Sequence, residues 1–203
     1  MSIGAELQYG GRFDRWRDFI KQFPDLDSIK PSSLLTGKQL ANLSYSDKLN
    51  YAQQVCVMLS LHPNTMLQFK PEGLIHNYMD KNLSALIVNN GIVLSFAKLY
   101  PWTGVSDEGK NVFELGSWIT KKGCEKKGYG SQVAKAVVKQ AYSLTENPQV
   151  VALTEIHNQG PQKILQDLGG LKLANLPSTV KVLLGEGKAE LVCFDMTDIV
   201  ATA

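Results

Sequence analysis

The sequence predicts an α/β layered fold: a mixed, mostly antiparallel sheet with flanking helices, preceded by a helical N-terminal region. Three observations carry this. Asn89-Asn90-Gly91 stands between two β-rich runs, LSALIVNN and GIVLSFAKLY, and an Asn-Gly step there is the strongest short hairpin signal because the turn needs positive φ. The run from Val112 to Ile156 reads as strand, helix, strand, a crossover that puts parallel strands into the sheet. Before residue 82 the apolar residues recur at helical spacing, and after it they form strand-like runs.

In chain order, Arg12 to Phe23 places Phe13, Trp16, Phe19, Ile20 and Phe23 on one helical face, and Pro24 ends it. Thr36 caps a second segment. Ser46 caps a third running to Leu61, with Leu49, Ala52, Val55, Cys56 and Leu59 inward. His62-Pro63-Asn64 stops that helix, and Lys70 to Lys81 holds one more short helix. From Leu83 come the two hairpin strands, and the polar stretch Trp102 to Lys110 is expected to be a loop. Val112 to Thr120 is a third strand. Gly130 to Leu144 is a helix with Val133, Val137 and Ala141 on one face. Gln149 to Ile156 is a strand, and Gly160 to Leu168 a helix stopped by Gly169-Gly170. Pro177 to Leu184 reads as helical and Glu190 to Met196 as a last strand. The expected division is residues 1–82, a helical region packing on the substrate side or covering the core, and residues 83–203, the core itself.

At 44% hydrophobic and 20% charged, the chain can bury a core without staples. The net charge of +2 is too weak by itself to suggest a nucleic-acid partner, since phosphate-backbone binders usually show a concentrated basic surface, and none is expected. Cys56, Cys124 and Cys193 form no CxxC pair, which argues against a zinc or dithiol site. Cys56 and Cys193 sit in apolar runs and are expected to be buried thiols. His62 and His76 lack metal-ligand spacing. An odd cysteine count, no apolar signal core in MSIGAELQYGGRFDRW, and no apolar run near the ~20 residues a bilayer requires lead to the expectation of a cytoplasmic protein with no membrane partner.

The turn Lys121-Lys122-Gly123-Cys124-Glu125-Lys126-Lys127-Gly128-Tyr129-Gly130 puts glycines and four lysines at the mouth of a helix. Backbone N–H groups at a helix N-terminus, with the helix dipole behind them, attract phosphate. Glycine lets the backbone come close. A P-loop fails because Tyr129 stands where its lysine belongs, and a dinucleotide fingerprint fails because Val133 replaces its third glycine.

A third motif fits. Glu125-Lys126-Lys127-Gly128-Tyr129-Gly130, followed by Ser131, resembles the coenzyme A loop [Q/R]-x-x-G-x-[G/A] of the GNAT-type N-acetyltransferase superfamily. Glu125 departs from that pattern, and a carboxylate there must point away from phosphate. Before the loop, Glu114-Leu115-Gly116-Ser117-Trp118 is similar to the family's ELGxW strand. After it, Asn158 precedes Gly169 by the family's eleven positions. The resemblance spans roughly residues 83 to 175 and leaves the first 80 residues unmatched.

The resemblance implies a GNAT-like sheet and acetyl-CoA or coenzyme A as co-substrate, with no metal. Trp118, Ile119 and Thr120 would offer backbone groups to the pantetheine arm. Lys126, Lys127, Gly128, Tyr129, Gly130 and Ser131 would hold the pyrophosphate. Asn158 would contact the pantetheine or cap its helix, or do both. Glu114 is the candidate base, since an amine must lose a proton before it attacks a thioester; a structural ion pair is the competing role. Alternation places Val112, Glu114, Gly116 and Trp118 on one strand face, and Phe113, Leu115 and Ile119 on the other. Leu165 stands where the family often has a proton-donating tyrosine. His157 is expected to be packed or on the surface. Trp16, Tyr45, Tyr51 and Tyr78 are expected mainly in the core, with the cleft wall as the alternative.

Three functions stay in view. The first is an N-acetyltransferase acting on an amine of a small molecule or peptide, possible as a homodimer through an exposed strand edge. The second is a catalytically silent coenzyme A-binding or regulatory module, which Leu165 and Glu125 favour. The third is an interaction domain whose glycines merely form a turn.

Overall fold

A computed structural model describes residues 32–63, 66–105, 109–175 and 191–200. The helices expected over 12–23 and 177–184, and Trp16 with them, lie outside the described residues.

The first strand, β1 (Ser33–Thr36), was not visible in the sequence. It leads into α1 (Gly37–Ala41), for which Thr36 takes the N-cap position and its backbone N–H donates to Gln39 Oε1 at 3.1 Å. Helix α2 (Tyr45–Ser60) is capped two residues before the expected position, by Ser44, which accepts from the Asp47 N–H. Its Ala52, Val55, Cys56 and Leu59 are buried as expected, whereas Leu49 is only half-buried. Helix α3 (Pro71–Leu74) continues as a π-helical turn over Ile75–Met79.

Strands β2 (Ser84–Asn89) and β3 (Ile92–Val105) are joined by Asn90 and Gly91, both at positive φ (46° and 77°), as the Asn-Gly signal requires. Gln54 of α2 clamps this turn: its amide donates to the Gly91 carbonyl and accepts from the Val93 N–H, each at 2.9 Å. β3 runs past the expected loop boundary, taking Trp102 into the strand. Then come β4 (Asn111–Thr120), α4 (Tyr129–Leu144), β5 (Pro148–Glu155), α5 (Gln159–Asp167), β6 (Leu171–Lys172) and β7 (Leu191–Asp195), and a 3-10 turn over Thr197–Val200.

Among the described residues the sheet has seven strands in the order β1-β2-β3-β4-β5-β7-β6, and every pair is antiparallel except β4 with β5. It is the mixed, mostly antiparallel sheet that the sequence predicts. Cross-strand partners share a face. Lys98 opposite Gly116, and Tyr100 opposite Glu114, therefore lie on one face. Val112, Val151 and Cys193 cluster on that same face. Tyr78 of the π-helical turn covers it over Lys98. Helix α4 packs on the opposite face, with Val133, Val137 and Ala141 fully buried.

Candidate active site

β4 and β5 pair only from Asn111–Pro148 to Glu114–Val151. Beyond Glu114 the two strands part. Among the described residues, Leu115–Thr120 then has β3 as its single strand neighbour, while the far half of β5 pairs with β7. This leaves a gap in the sheet, and Glu114 stands where it opens.

A bulge changes which residues face the gap. Between Phe96–Ile119 and Lys98–Gly116 the β4 strand carries one extra residue, and Ser117 sits there at φ 45°. Such a bulge reverses the alternation downstream of it. The sequence expectation that Trp118 shares the face of Glu114 is therefore corrected. Trp118 turns to the α4 face, where its Nε1 donates to the Gly130 carbonyl at 2.9 Å. Ile119, paired with Phe96, comes round to the face of Lys98 and Glu114. Thr120 Oγ1 lies 3.0 Å from Ser95 Oγ, whose hydroxyl also donates to the Ile119 carbonyl at 3.0 Å.

Trp118 and Thr120 close on the start of α4. A Cβ on Gly130 would stand 3.1 Å from Trp118 Nε1 and 3.2 Å from Thr120 Oγ1, so a side chain there would crowd the end of β4. Gly128, at φ 78°, takes the N-cap position in the left-handed region open to glycine. Lys126 just before it is also left-handed, at φ 63°. No side chain caps α4, and its first turn holds no acidic residue. The leading N–H groups of a helix have no intrahelical partners. The half-buried Ser131 and Tyr129 therefore flank a backbone donor set at the positive end of a 16-residue helix.

Charge around this terminus is basic. Lys122, Lys126 and Lys127 are exposed and Lys121 is half-buried, with burial pushing its ammonium pKa down. Glu125 turns back on its own loop: its Oε2 accepts the Gly123 N–H at 2.6 Å. The carboxylate at the departing motif position is thereby bound two residues upstream. Cys124 is buried beneath the loop, and burial raises its thiol pKa against the opposing pull of Lys121 and Lys127.

Glu114 is half-buried and burial raises its carboxyl pKa, while the Lys98 ammonium acts in the other direction. Lys98 is 2% exposed. Its Nζ lies 4.5 Å from the Tyr78 ring centroid and 5.3 Å from those of Phe69 and Tyr100. Burial pushes its pKa down to about 8, with Glu114 opposing. Tyr100 packs edge-on against Trp102, with centroids 5.7 Å apart. The sequence reading did not single out Lys98. The available signal was one lysine inside the apolar run GIVLSFAKLY.

Across the gap, Asn158 occupies the N-cap position of α5, is exposed, and makes no side-chain cap bond. His157 is exposed. Leu165 is 2% exposed and belongs to the main core, so the place of the family's tyrosine is filled by packing. Tyr78 is buried and Tyr51 half-buried, while Tyr45 is 53% exposed, so the core expectation fails for Tyr45 alone of these three.

Residues 72–170 match the family description Acetyltransferase (GNAT) domain. Over that stretch, 99 of the 203 residues, the chain is similar to a GNAT acetyltransferase domain. Solved structures share the fold. N-acetylglutamate synthase from Neisseria gonorrhoeae, complexed with coenzyme A and N-acetyl-glutamate, aligns with a TM-score of 0.58 at 13% identity. That alignment covers 82% of this chain and 35% of the synthase, so the chain spans about a third of that protein's length. A GNAT-family acetyltransferase from Staphylococcus aureus Mu50 aligns at 0.56 and 13% identity, over 82% and 99% of the two chains. YncA from Salmonella typhimurium, solved with acetyl-CoA, aligns at 0.54 and 15% identity, over 82% and 92%. No curated protein matches the chain. No helix among the described residues is long and apolar enough to cross a membrane. The family match begins inside the α3 segment. The sheet nevertheless takes β1 from well before it.

Proposed function

We propose that the protein is an N-acetyltransferase that moves an acetyl group from acetyl-CoA to a primary amine. The observation that carries this reading is one hydrogen bond, Trp118 Nε1 to the Gly130 carbonyl. It ties the uncapped, basic N-terminus of α4 to the half of β4 that has parted from β5. An anion site and a free strand edge thus lie side by side, which suits a ligand with a pyrophosphate at one end and an extended amide arm at the other.

The residues present fit coenzyme A. Gly128 and Gly130 keep side chains out of the loop, and no carboxylate of the first turn opposes phosphate. Lys126, Lys127 and the N–H groups of Tyr129, Gly130 and Ser131 would hold the pyrophosphate. Backbone groups of Trp118, Ile119 and Thr120, with Asn158 opposite, would hold the arm. Bound there, acetyl-CoA supplies a thioester acyl carbon and a thiolate leaving group. Glu114 would accept one proton from the acceptor ammonium at a carboxylate oxygen, leaving the nitrogen lone pair free to attack. Residues 32–82 would wall the acceptor side, since Tyr78 already covers the face that bears Glu114. The acceptor is an amine of a small molecule or a peptide.

A second reading is a silent coenzyme A-binding module. It is favoured by Leu165, which is packed into the core where a proton donor to the thiolate would stand. Thiol release from acetyl-CoA across an amine panel separates the two. Coenzyme A should raise the Tm, because a ligand that binds only the native state stabilises it. Gly128→Val should abolish that rise. If millimolar coenzyme A gives no shift in the parent protein, both readings fail. If the shift appears but no amine releases thiol, the module reading stands.

A further inference from the structure

We propose that Lys98 is a positioning residue for Glu114: a sequestered cation that keeps the neighbouring carboxyl ready to accept a proton while its own amine is kept from the acceptor. This rests on the reading of Glu114 as the base.

The argument begins with placement. Lys98 and Glu114 sit on adjacent strands of one face, and the two residues opposite them, Gly116 and Tyr100, interlock the pair along the strands. A lysine 2% exposed in an apolar strand is costly to keep charged. Three aromatic rings take its ammonium on their faces, and a ring face stabilises a cation by about 0.5–2 kcal/mol depending on desolvation. Among the described residues no ion pair ties Lys98 to a carboxylate within contact distance, so its charge reaches Glu114 as a field and leaves the carboxylate oxygens available.

The groups facing Glu114 define the balance. Lys98 and Tyr100 come from β3, Tyr78 from the π-helical turn, and Cys193 and Asp195 from β7, where burial, then Asp195 and lastly Glu114 raise the pKa of the Cys193 thiol. Of these, Lys98 alone is cationic, and Asp195 is occupied by the Gln149 amide and the Thr197 N–H. Without Lys98, burial would act on Glu114 unopposed, and it would hold its proton to higher pH. The rings also cover the Nζ, so that Lys98 does not compete with the acceptor as an amine.

The test uses the ligand-free protein and the carboxyl carbon-13 signal of Glu114. In Lys98→Met the Glu114 titration midpoint should rise by about one pH unit; in Lys98→Arg, which keeps the charge, it should stay near the parent value. An unchanged midpoint in a folded Lys98→Met protein overturns the proposal. Should that variant not fold, the parent protein decides. Glu114's signal must show a second inflection near pH 8, where Lys98 loses its proton, and a single inflection overturns the proposal. The base reading is tested apart, by the pH–rate profile of Glu114→Gln. If that variant keeps the acidic limb, the base reading fails while the midpoint result still decides the coupling.

Discussion

Glu125 Oε2 accepts the Gly123 N–H at 2.6 Å, so the acidic residue of the α4 loop is spent on the loop's own backbone. The fold thereby tolerates a carboxylate next to three exposed lysines and an uncapped helix end. Glu125→Gln keeps an acceptor for Gly123 and removes the charge. It should tighten coenzyme A binding roughly twofold, since one charge near a helix terminus contributes about 0.3–1 kcal/mol. Calorimetric titration at low salt measures it, and the gain should fade as salt screens it. Weaker binding in the variant would mean that Glu125 itself orders the loop for the ligand.

Trp118→Phe removes the donor that joins β4 to Gly130 while keeping most of the ring. Loss of one hydrogen bond of this kind costs about 1 kcal/mol. The Tm should fall slightly, and the coenzyme A-induced rise in Tm should fall by a larger share, because the two binding elements are no longer held together. Equal proportional losses would make the bond purely structural.

Leu165→Tyr puts a larger side chain, with a hydroxyl, into a position 2% exposed. Overpacking typically costs about 1–3 kcal/mol. The variant should melt earlier and release thiol no faster than the parent. Faster turnover with an unchanged Tm would place residue 165 in the cleft and contradict the packing.

Lys98 titrates at about 8 in the fold against an ordinary value of 10.5. Between those values the unfolded chain binds more protons than the native one, so Lys98 adds stability as pH rises from about 8 to 10.5. The contribution lost as pH falls through 8 is about 3 kcal/mol at most. Tyr51 and Tyr78, whose hydroxyls burial pushes up, act in the opposite direction at the alkaline end. Denaturant unfolding of the parent should therefore be compared with Lys98→Met at each pH. A difference that does not grow with pH would show that Lys98 is not held against its charge.

From Leu83 onward the described strands and helices other than the two-residue β6 were legible because each advertises itself locally: Asn90-Gly91 for the hairpin, Val133, Val137 and Ala141 for α4, Gly169-Gly170 for the end of α5. Strand β1 was not, since SLLT is four residues long and is made a strand only by pairing with β2. The reversal at Ser117 escaped for a related reason. A strict two-residue period cannot anticipate an inserted residue, and serine carries no signal for φ 45° as glycine would. Lys98 escaped because its partners, Phe69, Tyr78 and Tyr100, are brought together by tertiary packing across the sheet face.

Among the described residues, four residue pairs, Asn111–Pro148 to Glu114–Val151, are all the strand pairing between the β1–β4 and β5–β7 halves of the sheet. The sheet is in this sense two cooperative blocks joined by a short zipper and braced by α4. Native-state hydrogen exchange resolves blocks of this kind as separate opening units. The β2–β3 amides, clamped by Gln54, should exchange as one group, and those of β5 and β7 as another with its own opening free energy. A molecule laid along the gap would act as the absent rungs between them and bring the two exchange rates together.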